Sequence, residues 1–226
     1  MKIFVTGGTG YIGSHTVVEL QKNGYDVIIA DNLVNSSLDV LDGIEKITGI
    51  RPEFEEIDLT DGEVTRDFFA RHSDIRAVIH FAALKAVGES VNKPLEYYFN
   101  NLNSLMNVLT CMREFKVSNL VFSSSCTVYG QADVLPVTEK TPRHEAESPY
   151  GNTKVMSEDI IRDLMRVEPD MKALALRYFN PIGAHPTAFI GELPNGLPNN
   201  LIPYLTQTAI GIREQLSVFG DDYNTP

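Results

Sequence analysis

Tyr150 and Lys154 are the clearest candidates for chemistry in the sequence. They follow Ser148, a good N-cap, and Pro149, a good first helical residue, so the spacing predicts a helix with both side chains on one face. A phenol with a pKa of ~10 is almost fully protonated at neutral pH, and neighbouring cations lower that pKa. We therefore predict Tyr150 as a general base that Lys154 and a second cation activate. A simple surface Tyr–Lys pair would have the same spacing.

A run of hydroxyl side chains, Ser123 to Ser125, follows the fifth predicted strand. Ligands of a doubly wound sheet bind at the carboxyl ends of its strands. We expect one of these hydroxyls to bridge a substrate oxygen and the phenol of Tyr150. A Ser-rich loop that only caps turns is the alternative interpretation.

The first predicted strand leads directly into a glycine-rich turn, which contains Gly7, Gly8, Gly10 and Gly13. A Cβ in such a turn would block a pyrophosphate, and the last glycine lets the following helix pack close to the strand. The N-terminus of that helix offers free N–H groups and a positive dipole end to the phosphates. The pattern predicts a dinucleotide-binding loop.

Asp31, at the end of the second predicted strand, indicates which dinucleotide binds. A carboxylate there accepts hydrogen bonds from a ribose 2′-OH and repels a 2′-phosphate, which favours NAD over NADP. A helix-capping Asp31 after a chance glycine turn is the alternative. Asp58 and Leu59 follow the third strand, where an adenine edge could lie, although Asp58 could equally be a helix N-cap. Small residues after His80 would let the cofactor cross the sheet edge.

Short apolar runs alternate with helical stretches along the chain. Such runs are typical of strands buried on both faces, and the alternation predicts an α/β fold with a doubly wound parallel (Rossmann) sheet. Predicted strands are Lys2 to Thr6, Asp26 to Asp31, Glu53 to Ile57, Ala77 to Phe81, Asn119 to Ser123, Ala173 to Tyr178 and a short Leu216 to Phe219. Predicted helices are Tyr11 to Asn23, Leu38 to Thr48, Gly62 to His72, Pro94 to Lys116, Pro149 to Val167 and Asn199 to Gly211. The alternation of predicted strands and helices ends near Ala184. We therefore expect a cofactor domain at 1–184 and the beginning of a smaller, incomplete substrate domain at 185–226.

Composition excludes several classes of function. The net charge of the 226 residues is −11, which argues against a nucleic-acid partner or an anionic membrane. No apolar run is long enough for a membrane span, and the N-terminus reaches Gly7 too early for a signal peptide, so we expect a cytoplasmic protein. Neither the five histidines nor Cys111 and Cys126 show metal-binding spacing, and no metal is expected.

The chain resembles the extended short-chain dehydrogenase/reductases, and within them the branch that epimerises nucleotide sugars. The resemblance covers essentially the whole sequence and rests on the runs TGGTGYIGSH, IIADNL, HFAALKAVGES, PLEYYFNN, VFSSSCTVYG, SPYGNTK and RYFNPIGAHP. It implies a catalytic set of Ser125, Tyr150 and Lys154. It also implies NAD contacts, which with the glycine loop comprise Gly7, Gly10, Tyr11, Ile12, Gly13, Asp31, Asn32, Asn35, Ser36, Asp58, Leu59, Phe81, Ala82, Ala83, Lys85, Asn100, Tyr150, Lys154 and Phe179. Residues implied to face a UDP-sugar are Lys85, Ser125, Tyr150, Asn180, Asn200, Leu201, Ser217, Val218 and Phe219.

The resemblance further implies inversion at C4 of a UDP-hexose through a 4-keto sugar, and a homodimer formed by the helices Pro94 to Lys116 and Pro149 to Val167. Family members continue well beyond Pro226 and supply an Arg for the diphosphate there, so we expect residues 1–226 alone to bind NAD but to epimerise poorly or not at all. A nucleotide-sugar dehydratase or decarboxylase is one alternative, although dehydratases usually have Asp-Glu where this chain has Cys126-Thr127. A non-catalytic NAD or nucleotide-sugar binding protein is the other.

Overall fold

Six parallel strands form one sheet in the computed structural model, which describes residues 1–198, 200–218 and 220. The strands are β1 (Lys2–Thr6), β2 (Asp26–Asp31), β3 (Glu53–Glu56), β4 (Ile75–His80), β5 (Asn119–Ser125) and β6 (Lys172–Tyr178). Their order across the sheet is β3-β2-β1-β4-β5-β6, and every neighbouring pair is parallel. The direction of winding reverses between β1 and β4, so the predicted doubly wound Rossmann sheet is confirmed, with its ligand crevice expected at this switch point.

Seven α-helices are present in the described part of the chain: α1 (Tyr11–Lys22), α2 (Asp39–Thr48), α3 (Gly62–Arg71), α4 (Val87–Asn92), α5 (Pro94–Glu114), α6 (Pro149–Val167) and α7 (Leu201–Ala209). A 3₁₀ helix, Cys126–Tyr129, follows β5. None of these described helices is long and apolar enough to cross a membrane.

The predicted strand at Leu216 to Phe219 is wrong for its described part. Residues 216–218 have no strand structure, and Phe219 lies outside the described residues. The exposed fractions of Leu216 and Val218 are 38% and 81%. A strand needs a pairing neighbour, and within the described residues nothing pairs with this segment, because the six-stranded sheet ends at β6.

Two apolar clusters lie on the two faces of the sheet. The first packs α3, α5 and α6 against side chains such as Phe4 and Leu120, and the second packs α1 and α2 against Val5 and Ile29. Phe4 and Val5 point to opposite faces because side chains alternate along a strand. Ile190 is also buried in the second cluster, so the chain after Ala184 packs against the cluster that contains α1 and α2.

Candidate active site

The glycine loop connects β1 to α1 and packs against the start of the segment after β4. Gly7 has φ +66°, and a Cβ there would lie 2.8 Å from the backbone nitrogen of Ala82. Helix α1 begins at Tyr11 with Gly10 as N-cap, and no side chain of the described residues caps it. The first N–H groups of α1, including those of Tyr11 and Ile12, are therefore available to an anion, where the helix dipole favours negative charge.

Asp31 lies at the carboxyl end of β2, next to this loop. Its carboxylate accepts hydrogen bonds from the backbone nitrogen of Leu33 at 3.0 Å and from the hydroxyl of Ser36 at 3.4 Å. The Ser36 hydroxyl is in turn 2.7 Å from the hydroxyl of Thr9 in the glycine loop. The second Asp31 oxygen has no bond to these groups, which suits a ligand hydroxyl. Asn32 and Asn35 are exposed beside it.

Asp58 is not a helix N-cap. Helix α3 is capped instead by Asp61, which accepts hydrogen bonds from the backbone nitrogens of Glu63 and Val64. Asp58 is exposed and accepts from the backbone nitrogen and hydroxyl of Thr60 at 2.9 and 2.8 Å. Leu59, by contrast, is 4% exposed, so its side chain belongs to the core.

The segment after β4 lies against the end of β1. The backbone nitrogens of Phe81 and Ala82 donate to the carbonyl and hydroxyl oxygens of Thr6, each at 3.1 Å. This places Phe81, Ala82 and Ala83 at the switch point beside the glycine loop. On α5, the Asn100 side chain donates to the Asn101 oxygen at 2.9 Å.

Ser125, Tyr150 and Lys154 meet where β5 ends and α6 begins. Ser148 caps α6 by accepting from the backbone nitrogen of Gly151 at 3.1 Å, as predicted. Tyr150 and Lys154 lie on one face of α6, with the Lys154 Nζ atom 5.8 Å from the centre of the Tyr150 ring. Lys154 is only 4% exposed, and its Nζ donates to the Ser123 carbonyl at 2.8 Å. The simple surface pair is thereby excluded.

The pKa values of Tyr150 and Lys154 show that Lys154 alone does not lower the pKa of the Tyr150 phenol. Burial raises the pKa of Tyr150 above its ordinary value; the hydrogen bond with Ser125 opposes that rise, and Cys126 adds to it. Burial also lowers the pKa of Lys154 to about 8. The phenol is therefore protonated at neutral pH in the protein by itself, so the predicted role of Tyr150 as a base would require a second cation beside Lys154.

Apart from Lys85, Ser125 and Tyr150, the residues predicted to face a nucleotide sugar lie after β6 in the sequence. Phe179 and Asn180 are exposed just after β6, and Leu201 is exposed at the start of α7. Ser217 and Val218 are exposed in an irregular segment, whereas Phe219 lies outside the described residues. Because their side chains are exposed, these described residues are accessible to a ligand.

Glu192, which the sequence analysis missed, connects several of these residues. Its side chain is 10% exposed, and its Oε1 atom accepts from the Asn200 amide and lies 3.6 Å from the ammonium of Lys85. Its charge also raises the pKa of Tyr11, after the larger effect of burial. No local sequence motif identifies Glu192, because its three partners are far apart in the sequence. Only the fold shows that they come together.

Asn101 is a second residue that the sequence analysis missed. Its amide bonds the backbone nitrogen and oxygen of Leu84 at 2.8 and 3.0 Å and the Thr153 hydroxyl at 3.1 Å. It thus ties the segment after β4 to α6, one residue from Lys154. Helical spacing gives a signal, because Asn101 shares the buried face of α5 with Tyr97 and Leu105, where an amide needs partners.

His80 is a buried histidine directly beneath this site. It is 2% exposed, its Nδ1 lies 2.9 Å from the Thr6 hydroxyl, and its ring stacks on Phe122 at 6.1 Å between centres. Burial, with a smaller effect of Lys154, lowers the pKa of His80 from 6.5 to about 3. The imidazole is neutral in the folded protein at any pH near neutrality.

Acidification should therefore destabilise the protein before its carboxylates titrate. Unfolded His80 binds a proton near pH 6.5 whereas folded His80 does not, so the free energy of unfolding falls as the pH is lowered. One proton contributes a loss of about 2 kcal/mol between pH ~6.5 and ~5. Urea unfolding measured across this range should show a steeper pH slope for the wild type than for His80→Asn. His144→Asn, at a partly exposed histidine, should keep the wild-type slope; equal slopes in all three proteins would contradict the assignment.

The described residues contain no group of three or more His, Cys, Asp or Glu side chains that could hold a metal ion.

The family model described as "NAD dependent epimerase/dehydratase family" matches residues 3–224. The chain belongs to this family. Curated members of the NAD dependent epimerase/dehydratase family similar to it include the UDP-glucose 4-epimerases of Dictyostelium discoideum, at 52% identity, and Bacillus subtilis, at 53%. Both alignments cover 100% of this chain but 65% and 66% of the relatives, so the chain spans about two thirds of their length.

Solved structures of family members have the same fold. The UDP-glucose 4-epimerase of Bifidobacterium longum, in complex with NAD+ and UDP, superposes with a TM-score of 0.96 at 46% identity over 100% of this chain and 67% of its own. That of Stenotrophomonas maltophila, with bound NAD and formylated UDP-arabinopyranose, gives a TM-score of 0.95 at 48% identity over 100% of this chain and 66% of its own.

Proposed function

We propose that this protein interconverts UDP-galactose and UDP-glucose by inverting C4 through a transient 4-keto sugar, with NAD as a bound cofactor. The observation that carries the proposal is the meeting of Ser125, Tyr150 and Lys154 at the carboxyl edge of the sheet, beside an uncapped helix N-terminus. Relatives named UDP-glucose 4-epimerase, and neighbours solved with NAD and UDP, support it.

The residues present fit NAD. The N-terminus of α1 offers N–H groups to the pyrophosphate, and Asp31 offers a carboxylate to the adenosine ribose and disfavours a 2′-phosphate. Lys154 is placed to donate to the second ribose, as its ammonium has two N–H groups beyond the Ser123 bond. We assign the remaining contacts to Gly7, Gly10, Gly13, Asn32, Asn35, Ser36, Asp58, Leu59, Phe81, Ala82, Ala83, Lys85, Asn100 and Phe179.

Tyr150 and Ser125 carry the proton transfer. When bound, NAD supplies a reversible hydride acceptor and a positive ring near the phenol. The Tyr150 oxygen removes the proton of the sugar 4-OH as the C4 hydride departs, while the Ser125 hydroxyl hydrogen-bonds the same oxygen. The hydride then returns to the opposite face of the keto sugar, and Tyr150 gives the proton back, so the cycle has no net redox change.

The sugar nucleotide is assigned to the segment after β6 and the start of α7. Lys85 offers positive charge, and Asn180, Asn200, Leu201, Ser217, Val218 and Phe219 complete our assignment. A dehydratase is disfavoured because Cys126 and Thr127 begin the 3₁₀ helix beside Tyr150, and neither offers a carboxylate for elimination. We propose 1–184 as the cofactor domain and 185–226 as the beginning of the substrate domain, in a cytoplasmic enzyme.

Helices α5 and α6 also support the proposed homodimer. They pack against one another, and α5 exposes Leu95, Phe99 and Met106 with exposed fractions of 78%, 61% and 41%. Their spacing of four and seven residues places them along one side of the helix. We propose that this apolar side packs against the same helices of a second copy.

One experiment tests the cofactor and the reaction together. The purified protein is denatured and its supernatant assayed for NAD and NADP, and the native protein is incubated with UDP-galactose. We expect released NAD, and formation of UDP-glucose above the level given by Tyr150→Phe, without accumulation of NADH. Release of NADP alone would contradict the role of Asp31. A 4-keto-6-deoxy product, or no UDP-glucose above the Tyr150→Phe level, would contradict epimerisation.

A further inference from the structure

Three residues of α6 contact three successive residues of β5. Tyr150 lies beside Ser125, whose hydroxyl lowers the pKa of the phenol, and Lys154, one helical turn later, donates to the Ser123 carbonyl at 2.8 Å. Glu158 lies a further turn along the same face, and its Oε1 atom accepts from the Ser124 hydroxyl at 2.6 Å. The mechanism above uses the first two contacts and leaves the third without a role.

Glu158 is held rigidly from its other side. The guanidinium of Arg177 donates to both of its carboxylate oxygens, at 2.9 and 2.8 Å, and Arg143 approaches to 3.6 Å. Arg177 also lies 4.8 Å from the centre of the Tyr129 ring, at the end of the 3₁₀ helix. The side chain of Glu158 is only 9% exposed. Bidentate Arg–carboxylate pairs fix geometry in two directions, so this carboxylate has a defined position.

The protonation state of Glu158 is fixed as well. Burial raises its pKa, but the hydrogen bonds from Arg177 and Ser124 and the charges of Arg177 and Arg143 outweigh burial, and the net shift is downward. The carboxylate is therefore ionised across the neutral range, and it accepts a hydrogen bond from the Ser124 hydroxyl.

We propose that Glu158 is a positioning residue: by holding Ser124 it fixes the end of β5 against α6, and so sets the distances among Ser125, Lys154 and Tyr150. Ser124 stands between Ser123, whose carbonyl holds Lys154, and Ser125, whose hydroxyl lies beside Tyr150. A shift of the strand end at Ser124 therefore moves both partners of the phenol together. The inference rests on the proposed function, to which it adds the group that keeps the acid–base pair aligned.

Three variants separate positioning from stability. Glu158→Gln removes the charge at constant size, and Ser124→Ala removes the hydroxyl but leaves the Glu158–Arg177 pair. Asp163→Asn removes an exposed carboxylate of the same helix, which among the described residues pairs with Arg166. Turnover per folded enzyme, KM for UDP-galactose and thermal stability are measured for each. The titration of Tyr150 is measured by the absorbance of tyrosinate in the NAD-loaded protein, after subtraction of the same curve from the Tyr150→Phe variant of each protein.

We expect Glu158→Gln to lower kcat by about ten- to a hundredfold with KM within about twofold, because misplacement of reacting groups acts on the chemical step. The Tyr150 titration should move to higher pH. Ser124→Ala should shift kcat and the titration in the same directions at near wild-type stability, and Asp163→Asn should change nothing.

Loss of stability in Glu158→Gln with unchanged kcat and titration would overturn the proposal and leave Glu158 a structural ion pair. If Glu158→Gln does not fold, Ser124→Ala decides, since wild-type kcat and titration in that variant would equally overturn it. A wild-type protein without epimerase activity would refute the proposed function instead, and the Tyr150 titration would still test the role of Glu158.

Discussion

Replacing Tyr150 with Phe should abolish nearly all turnover and leave NAD binding and the fold intact. The change removes one oxygen and almost no volume, at a helix position where the ring packs near Lys154. Loss of a general base lowers kcat by roughly 10²- to 10⁴-fold, or about 3–5 kcal/mol in the barrier. The measurement is the initial rate of UDP-glucose formation from UDP-galactose at saturating substrate.

The control for this prediction is Tyr25→Phe, which makes the same chemical change at an exposed tyrosine before β2. It should keep the wild-type rate. Release of NAD on denaturation should be the same for both variants. A Tyr150→Phe protein that turns over at a wild-type rate would rule out the phenol as the proton acceptor, and a variant that loses NAD would show that Tyr150 mainly holds the cofactor.

For Tyr150 to act as a base, a cation other than Lys154 must lower the pKa of its phenol. In the protein by itself, burial raises the pKa of Tyr150, and the Lys154 ammonium, which donates to the Ser123 carbonyl, does not reverse that rise. In the proposed reaction, the positive nicotinamide ring of bound NAD would therefore lower the pKa of the phenol. Sequence spacing indicates that Tyr150 and Lys154 share a face, but it does not reveal burial, which decides the sign of the shift.

The sheet was predictable because strands such as β1 and β2 are buried on both faces and read as nearly continuous apolar runs. The edge strands β3 and β6 are partly exposed. Strands β1 and β2 match their predicted bounds, and the other strands differ by one or two residues at their ends. Helix α4 was missed because its six residues are too few to show a helical period. The strand expected at residues 216–218 failed for the opposite reason, since a short apolar run means little without a neighbouring strand to pair with.

The site was predictable where its chemistry is local. The glycine loop, Asp31 and the Tyr150–Lys154 pair each occupy one turn or one strand end, so spacing identifies them. The alternative of Asp58 as a helix N-cap is wrong because a second acid, Asp61, stands directly before α3 and caps it, which only the geometry shows. Glu158 and Glu192 were missed, since their partners lie in other elements and only the fold brings them together.

Gly13→Ala should destabilise the protein strongly, against the expectation from helix propensity. Alanine is favoured over glycine inside a helix by about 1 kcal/mol, so a free position in α1 would gain stability. At Gly13, however, a Cβ would lie 2.2 Å from the carbonyl oxygen of Gly7 and 2.8 Å from the Cα of Gly8. Both contacts are backbone atoms of the loop itself. The helix must move away from β1, and we expect a loss of at least about 3 kcal/mol in the free energy of unfolding.

The matched control is Gly88→Ala in α4. Among the described residues, no atom outside Gly88, its two chain neighbours and the backbone of its own helix lies within 4 Å of the added Cβ. It should be neutral or stabilising by about 0.5–1 kcal/mol. Urea unfolding gives both free energies, and titration with NAD gives the affinities. Because the pyrophosphate needs the loop and the first turn of α1 in their present positions, Gly13→Ala should also lose NAD affinity even under conditions where it is folded. A Gly13→Ala protein as stable as Gly88→Ala, with wild-type affinity for NAD, would mean that the close approach of helix and loop has no role in holding the cofactor.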